Sequence, residues 1–221
     1  MTRTTPRPGT ALILGLAFAA CSYPGVAPVA TAPLPATSSQ VAAGRRAYVA
    51  ADLTFLSGMI GHHAQAVVMA GWAPSHGARP SVRTLAERIV VAQRDEIAFM
   101  QNWLREHNEP VPEAKPTGLT MTMTMNGMKH DMLMPGMLTA DQMKQLDQSG
   151  GVEFDRLFLT FMIQHHRGAL TMVETLFGSY GAAQDDLIFK YASDVGADQT
   201  TEIDRMQGML DALPPAGGSA P

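Results

Sequence analysis

Apolar residues return every three or four positions in four long stretches of the chain. That spacing predicts helices over about residues 46–72, 80–107, 151–178 and 182–211. In the second stretch Leu85, Ile89, Ala92, Ile97, Met100 and Leu104 fall on one face. The run GWAPSHGARPS (71–81) separates the first two helices, and its Pro80 and Ser81 suit the start of the second. Gly178 or Gly181 separates the last two. Between the pairs run about 43 residues with no long helical pattern, where Thr139 stands as an N-cap before ADQMKQL and predicts a short helix.

The pattern is written twice. FLSGMIGHHAQAVVMA (55–70) aligns without a gap on FLTFMIQHHRGALTMV (158–173), at an offset of 103 residues. Asp52 falls on Asp155, Met59 on Met162, His62-His63 on His165-His166, and Met69 on Met172. Behind each lies a second match, 85–104 on 191–210, at an offset of 106. There Gln93, Glu96 and Met100 fall on Gln199, Glu202 and Met206. The three-residue slip between the two offsets sits in an inter-helix connection, where added length costs little. One helical hairpin cannot bury its apolar stripe alone. Two stacked hairpins can, which predicts an all-α four-helix bundle over residues 45–212.

The doubled histidines are the first candidate chemistry. Met59 and His63 are i,i+4 neighbours on a helix, and His62 and Met69 form a second line two turns long. Adjacent histidines diverge by about a quarter turn, so one ring of each pair can face the core and the other a neighbouring helix or the subunit surface. Imidazole with thioether is a soft donor set that suits Cu(I) or Ag(I), and imidazole alone also suits Cu(II) or zinc. The competing reading is structural, because methionine is a good core filler and a core histidine is usually satisfied by a hydrogen bond. Four buried imidazoles without partners would be costly, so something must satisfy them. Glu96 and Glu202, at equivalent places on the hairpins' other helices, are candidates to hold the far nitrogen of a ligating ring, and otherwise face solvent. Asp52 and Asp155 are further candidates behind the histidines.

Seven of the sixteen methionines lie in LTMTMTMNGMKHDMLMPGML (119–138): Met121, Met123, Met125, Met128, Met132, Met134 and Met137. His130 sits among them. Met121, Met123 and Met125 alternate with threonine, the period of a short strand or extended arm, and Gly127 and Pro135-Gly136 mark turns. A core does not require methionine at this density. The segment is read as a soft-metal binder, or as an arm laid over an apolar groove. The two roles are compatible.

The front of the chain looks separate from the fold. Arg3 and Arg7 precede the apolar run ALILGLAFAA, which ends at Cys21, and residues 1–21 read as a secretory signal. Cys21 is the only cysteine, and lipid attachment there would explain it, with ordinary cleavage nearby or an uncleaved anchor as alternatives. Residues 22–44, rich in Pro, Ala, Ser and Thr, read as a flexible tether. Each alternative puts the body outside the cytoplasm, in the periplasm or at the cell membrane. There thioethers bind copper without the disulfide pairing that thiolates risk.

A net charge of −4, with no basic tract, P-loop or GxGxxG, excludes nucleic acid and nucleotides as natural partners. A ferritin-type di-metal enzyme needs Glu-x-x-His on two helices, and the chain has none. No Ser-His-Asp order or CxxC supports covalent or thiol catalysis. The expectation is a protein that is not an enzyme.

The residues Asp52, Phe55, Met59-Ile60, His62-His63, Ala66 and Met69, repeated at Asp155, Phe158, Met162-Ile163, His165-His166, Ala169 and Met172, resemble the hallmark of the DUF305 family. So do Gln93, Glu96-Ile97 and Met100, their counterparts Gln199, Glu202-Ile203 and Met206, and the phrase MPGMLT at 134–139. The resemblance covers about residues 45–211. It implies a ferritin-like helical bundle in an exported bacterial protein, and some members of the family are linked to copper or silver binding and tolerance. The expected function is therefore soft-metal binding, Cu(I) above all, as buffer, carrier or tolerance factor. The alternative is a structural or interaction module of the envelope whose histidines are hydrogen-bonded to Asp52, Asp155, Glu96 or Glu202. The sequence does not fix the oligomeric state, but histidines diverging from one face could let a second copy complete sites between subunits in a homodimer.

Overall fold

Helix α1 (Ala50–Gly71) and α2 (Pro80–Glu106) form the first hairpin, and α4 (Gly151–Gly178) and α5 (Asp186–Asp211) the second. Between them come two strands, β1 (Thr120–Met125) and β2 (Met128–Leu133), and the short helix α3 (Ala140–Asp147). The structure, a computed structural model, describes residues 48–115, 120–125 and 128–215, with the backbone alone for 120–125 and 128–132. The expected signal, Cys21 and the tether of 22–44 lie outside the described residues, as do the side chains of Met121, Met123, Met125, Met128, His130 and Met132.

The long helices form where the apolar period predicts them, and their ends follow local chemistry. Asp52 takes the amide of Val49 on Oδ2 at 2.8 Å, which starts α1 at Ala50, four residues later than predicted. Asp185 accepts from the amides of Leu187 and Ile188, so α5 begins at Asp186 and not at 182. Thr139 caps α3 as expected and shares a capping box with Gln142. On α2 the predicted apolar face is buried except for Ala92, which is exposed; Gln93 takes the inward place beside it.

The alternating Thr-Met run forms an antiparallel hairpin with the residues that follow it. Met121 stands opposite Met132, Met123 opposite His130, and Met125 opposite Met128. Beyond β2 the chain turns at Pro135-Gly136 and crosses the helices before α3.

Helix α1 packs on α2, α4 on α5, and the hairpins meet where α1 runs antiparallel to α4. Each hairpin braces the other's connection. Asp52 on α1 accepts the amide of Ala183, between α4 and α5, at 2.7 Å. Asp155 on α4 accepts the amide and the Nε of Arg79, at the start of α2, at 3.2 and 2.9 Å. The amide of Gly151 donates to the carbonyl of His76 at 2.8 Å, closing the same end. No helix among the described residues is long and apolar enough to cross a membrane.

The core has two hydrophobic clusters. Along α1, residues from Phe55 to Ala64 belong to the first and Ala66 to Ala70 to the second. Along α4 the order reverses: Phe154 to Ile163 lie in the second cluster and Ala169 to Leu176 in the first. Both histidine pairs stand at the changeover, so a polar layer divides the bundle at mid-length.

Candidate functional site

His62, His63, His165 and His166 are all fully buried. The rings of His62 and His165 face each other across the α1–α4 contact, their centroids 3.8 Å apart and their planes tilted by 37°. His165 donates from Nε2 to the backbone carbonyl of His62 at 3.0 Å. His62 donates from Nε2 to the carbonyl of Pro135, also at 3.0 Å. Carbonyl acceptors fix the proton on Nε2, so each neutral ring keeps its lone pair on Nδ1. Burial pushes the pKa of His62 down to about 3, helped by the nearby His63, and holds His165 well below the ordinary histidine value.

The second histidine of each pair turns outward to its own hairpin. His166 Nε2 donates to Glu202 Oε2 at 2.7 Å. His63 Nε2 lies 2.5 Å from Glu96 Oε2, close but poorly aligned, and that oxygen has no well-directed donor. Each half thus places its glutamate beside the second histidine, with a hydrogen bond only between His166 and Glu202. Asp52 and Asp155 do not stand behind the histidines: both carboxylates are taken by the backbone of the opposite hairpin's connection. Burial raises the pKa of Asp155, and the contacts from Arg79 oppose that shift.

The Nδ1 atoms of all four histidines are buried without a hydrogen-bond partner, and so are Oε1 of Gln93 and of Gln199. Buried methionines from both hairpins belong to the two core clusters. Met59 of α1 shares a cluster with Met172 of α4, together with Met134 and Met137. Met69 of α1 shares the other with Met162 of α4. The repeat therefore divides its methionines between two interfaces, and Met69 is grouped with Met162 across the bundle. Met134 and Met137 are the two members of the methionine-rich segment whose side chains are described, and both are buried.

The end of the methionine-rich segment closes the layer, as an arm over an apolar groove would, and what the sequence did not reveal is how it is seated. The turn 134–138 lies directly on α1 and α4. Gln65, buried beside the histidines, accepts the amide of Leu138 at 2.7 Å and donates to its carbonyl at 3.1 Å. A Cβ on Gly168 would stand 2.0 Å from the carbonyl oxygen of Pro135, so only glycine lets the turn approach α4 this closely. Gly136, at φ +74°, meets the α4 backbone from the other side. A Cβ on Gly58 would come within 3.0 Å of the Met134 sulfur. Tyr191 was also missed: it is buried, its hydroxyl donates to the Met100 sulfur at 3.3 Å, and it lies 3.5 Å from His63 Nε2. Burial raises its pKa well above the usual tyrosine value. The equivalent position in the other hairpin is Leu85, so the two halves differ there.

The solved structure of a DUF305 protein from Streptomyces coelicolor, described as secreted, is 26% identical with a TM-score of 0.62, covering 77% of this chain and 98% of that one. CopM in its Cu(II)-bound form is 25% identical with a TM-score of 0.56, covering 72% of this chain and 95% of that one. CopM in its Cu(I)-bound form is also 25% identical, with a TM-score of 0.54 over the same shares. A curated protein of Acanthamoeba polyphaga mimivirus, L153, is 36% identical over 55 residues, which are 25% of this chain. The match spans about a third of that relative, 36% of its length. The family profile described as a domain of unknown function, DUF305, matches residues 52–210. With the doubled histidine helices and the profile in agreement over most of its length, this chain belongs to the DUF305 family.

Proposed function

We propose that the protein binds copper outside the cytoplasm, Cu(I) in preference, and serves as a buffer, carrier or tolerance factor, with Ag(I) as a second soft ion. One observation carries the reading: four fully buried imidazoles each leave Nδ1 without a donor. An unfilled lone pair in a protein interior is unfavourable until a proton or a cation occupies it, and burial opposes the proton.

The donors fit a soft ion of low coordination number. Among the described residues no three His, Cys, Asp or Glu side chains are grouped to hold one ion. Imidazoles would therefore act singly or in pairs, completed by sulfur from Met59, Met172 and Met134, or from Met69 and Met162. Such a set suits Cu(I) and Ag(I) better than zinc, which takes four ligands. Glu202 and Glu96 would orient the rings of His166 and His63 through Nε2. The copper-bound forms of CopM support the same reading by similarity. The apolar leader and the similarity to a protein described as secreted support the location.

The structural reading also rests on an observation: every Nε2 of the four histidines already has an acceptor or a carboxylate beside it. Anaerobic Cu(I) titration of the untagged protein against a competing chelator separates the two, with occupancy and melting temperature followed together. Variants H62A/H165A and H63A/H166A, and a deletion of 119–133, assign the ligands. Binding that raises the melting temperature and is lost in a histidine variant supports the proposal. Loss only in the deletion moves the site to the methionine hairpin. Absence of competitive binding in a folded protein leaves the structural module.

A further inference from the structure

Eight large apolar side chains are exposed among the described residues. The three aromatic ones, Phe177, Tyr180 and Phe189, all stand where α4 turns into α5, together with Leu187. Tyr180 is fully exposed, and the rings of Phe177 and Phe189 meet edge to face at 5.6 Å. Exposed singly, such residues carry no message; grouped at one end, they mark a surface that something covers.

The chain itself is led to that end. Val49, just before α1, has its Cγ1 3.7 Å from where a Cβ on Gly181 would stand. Asp52 holds the amide of Ala183 in the same turn. Tyr48 packs edge-on against Trp103 at 5.0 Å, and Trp103 donates to Asp185 at 3.4 Å. The described chain therefore begins, at Tyr48 and Val49, beside the exposed aromatic group.

We propose that this end of the bundle rests against a lipid bilayer, with Phe177, Tyr180, Leu187 and Phe189 in the interface between headgroups and acyl chains. Aromatic side chains favour that zone, and one apolar segment combined with a second contact holds a protein more firmly than either alone. The charges nearby bear on the contact. Asp185 and Asp186 begin α5, Glu109 binds the hydroxyl of Tyr48, and Lys190 is paired with Asp194. The start of α5 thus offers acid and a paired lysine rather than a basic patch, so the contact proposed for the aromatic group is apolar insertion, with Arg45, Arg46 and Arg105 as the basic residues nearby in sequence. The bundle would stand on its end, with the connection between α1 and α2 furthest from the surface. This inference does not depend on copper binding.

The two tryptophans report the two ends. Trp103 lies near the aromatic group, and Trp72 follows α1, whose 22 residues span about 33 Å. The full chain would be reconstituted in phosphatidylcholine vesicles with and without brominated acyl chains, as W72F to isolate Trp103 and as W103F to isolate Trp72. Because Trp103 is buried, Y180W in a W72F/W103F chain provides a second, isolated reporter at an exposed position. The expected result is a roughly two-fold or greater loss of fluorescence from Trp103 and from Y180W, with Trp72 unaffected. F177S/F189S should abolish that quenching. Equal quenching at both ends, no quenching at either, or quenching that survives F177S/F189S would overturn the proposal. So would an F177S/F189S chain that changes from dimer to monomer in sedimentation with the lipid contact unchanged, since the aromatic face would then join two copies.

Discussion

His165 donates through Nε2 to the backbone carbonyl of His62 at 3.0 Å, while the two rings lie 3.8 Å apart. Equivalent residues of the two repeats thus meet in the interface between the hairpins, and both must be neutral there. Burial lowers the pKa of His62 to about 3 and that of His165 well below the ordinary value. The unfolded chain, with histidines near about 6.5, binds more protons between those values, so stability rises with pH through that window. It is fully present above about 6.5 and lost as pH falls toward 3. Urea unfolding of the metal-free protein should weaken by on the order of 1 kcal/mol per pH unit between about pH 6 and 5 from His62, with His165 adding in the same direction. A midpoint that stays constant over that range would mean that the pair is charged or wet in the folded state.

The turn over the histidines depends on backbone contact at one glycine. Gly168→Ala would push a methyl group against the Pro135 carbonyl, 2.0 Å away. The expected loss is about 2–4 kcal/mol, because neither backbone can give way cheaply. The Leu138 amide, held by Gln65, should lose its protection from hydrogen exchange. Gly71→Ala, with nothing within 4 Å of the added carbon, is the control and should be neutral or slightly stabilising. Equal effects at the two glycines would show that the turn is not seated through Gly168.

The crossed aspartates should act independently. Asp52 and Asp155 brace opposite ends of the α1–α4 pair through different connections. Asp52→Ala leaves the amides of Val49 and Ala183 without their acceptor and should cost about 2–4 kcal/mol. Asp155→Ala should cost less, because burial already works against its charge and Arg79 is partly exposed. In the double variant the two losses should add to within about 0.5 kcal/mol. Hydrogen exchange should open at Ala183 in the first variant and at Arg79 in the second. Strong non-additivity would mean that the two ends of the bundle are coupled through the histidine layer.

Much of this arrangement could be read from periodicity and self-similarity. The repeat at Asp52–Met69 and Asp155–Met172 revealed two hairpins, and the equivalent glutamates were found beside their histidines. What the repeat concealed lies at the positions where its copies differ. Gly58, Gly61 and Gln65 correspond to Phe161, Gln164 and Gly168. Four of these six handle the turn 134–138: Gly58 and Gly168 make room for it, Gln65 binds Leu138, and Gln164 donates to Gly136 at 3.4 Å. A segment that crosses a twofold-like bundle only once must break the symmetry of what it touches, so the mismatches are the usable signal. The role of Asp52 and Asp155 was hidden for another reason. Their partners are backbone amides, which carry no mark in the sequence. Tyr191 was hidden in the same way, because one helical face does not reveal which residue of the other hairpin it will meet.

Sulfur and shape can be separated at the buried methionines. Met59 and Met172 share the first core cluster with Met134, whereas Met69 and Met162 belong to the second. Met59→Leu/Met172→Leu nearly conserves volume and hydrophobicity, so the metal-free protein should lose less than about 1.5 kcal/mol per site. If thioethers complete the coordination of Cu(I), chelator competition should show at least about a ten-fold weaker affinity despite that small change in stability. Met69→Leu/Met162→Leu tests the other interface in the same way. Weakening in one pair alone would assign the ion to that side of the histidine layer, and equal weakening would indicate a site on each. Affinity unchanged in both would leave the imidazoles, or the methionine hairpin, as the ligands. A loss of stability as large as the loss of affinity would return these methionines to a packing role.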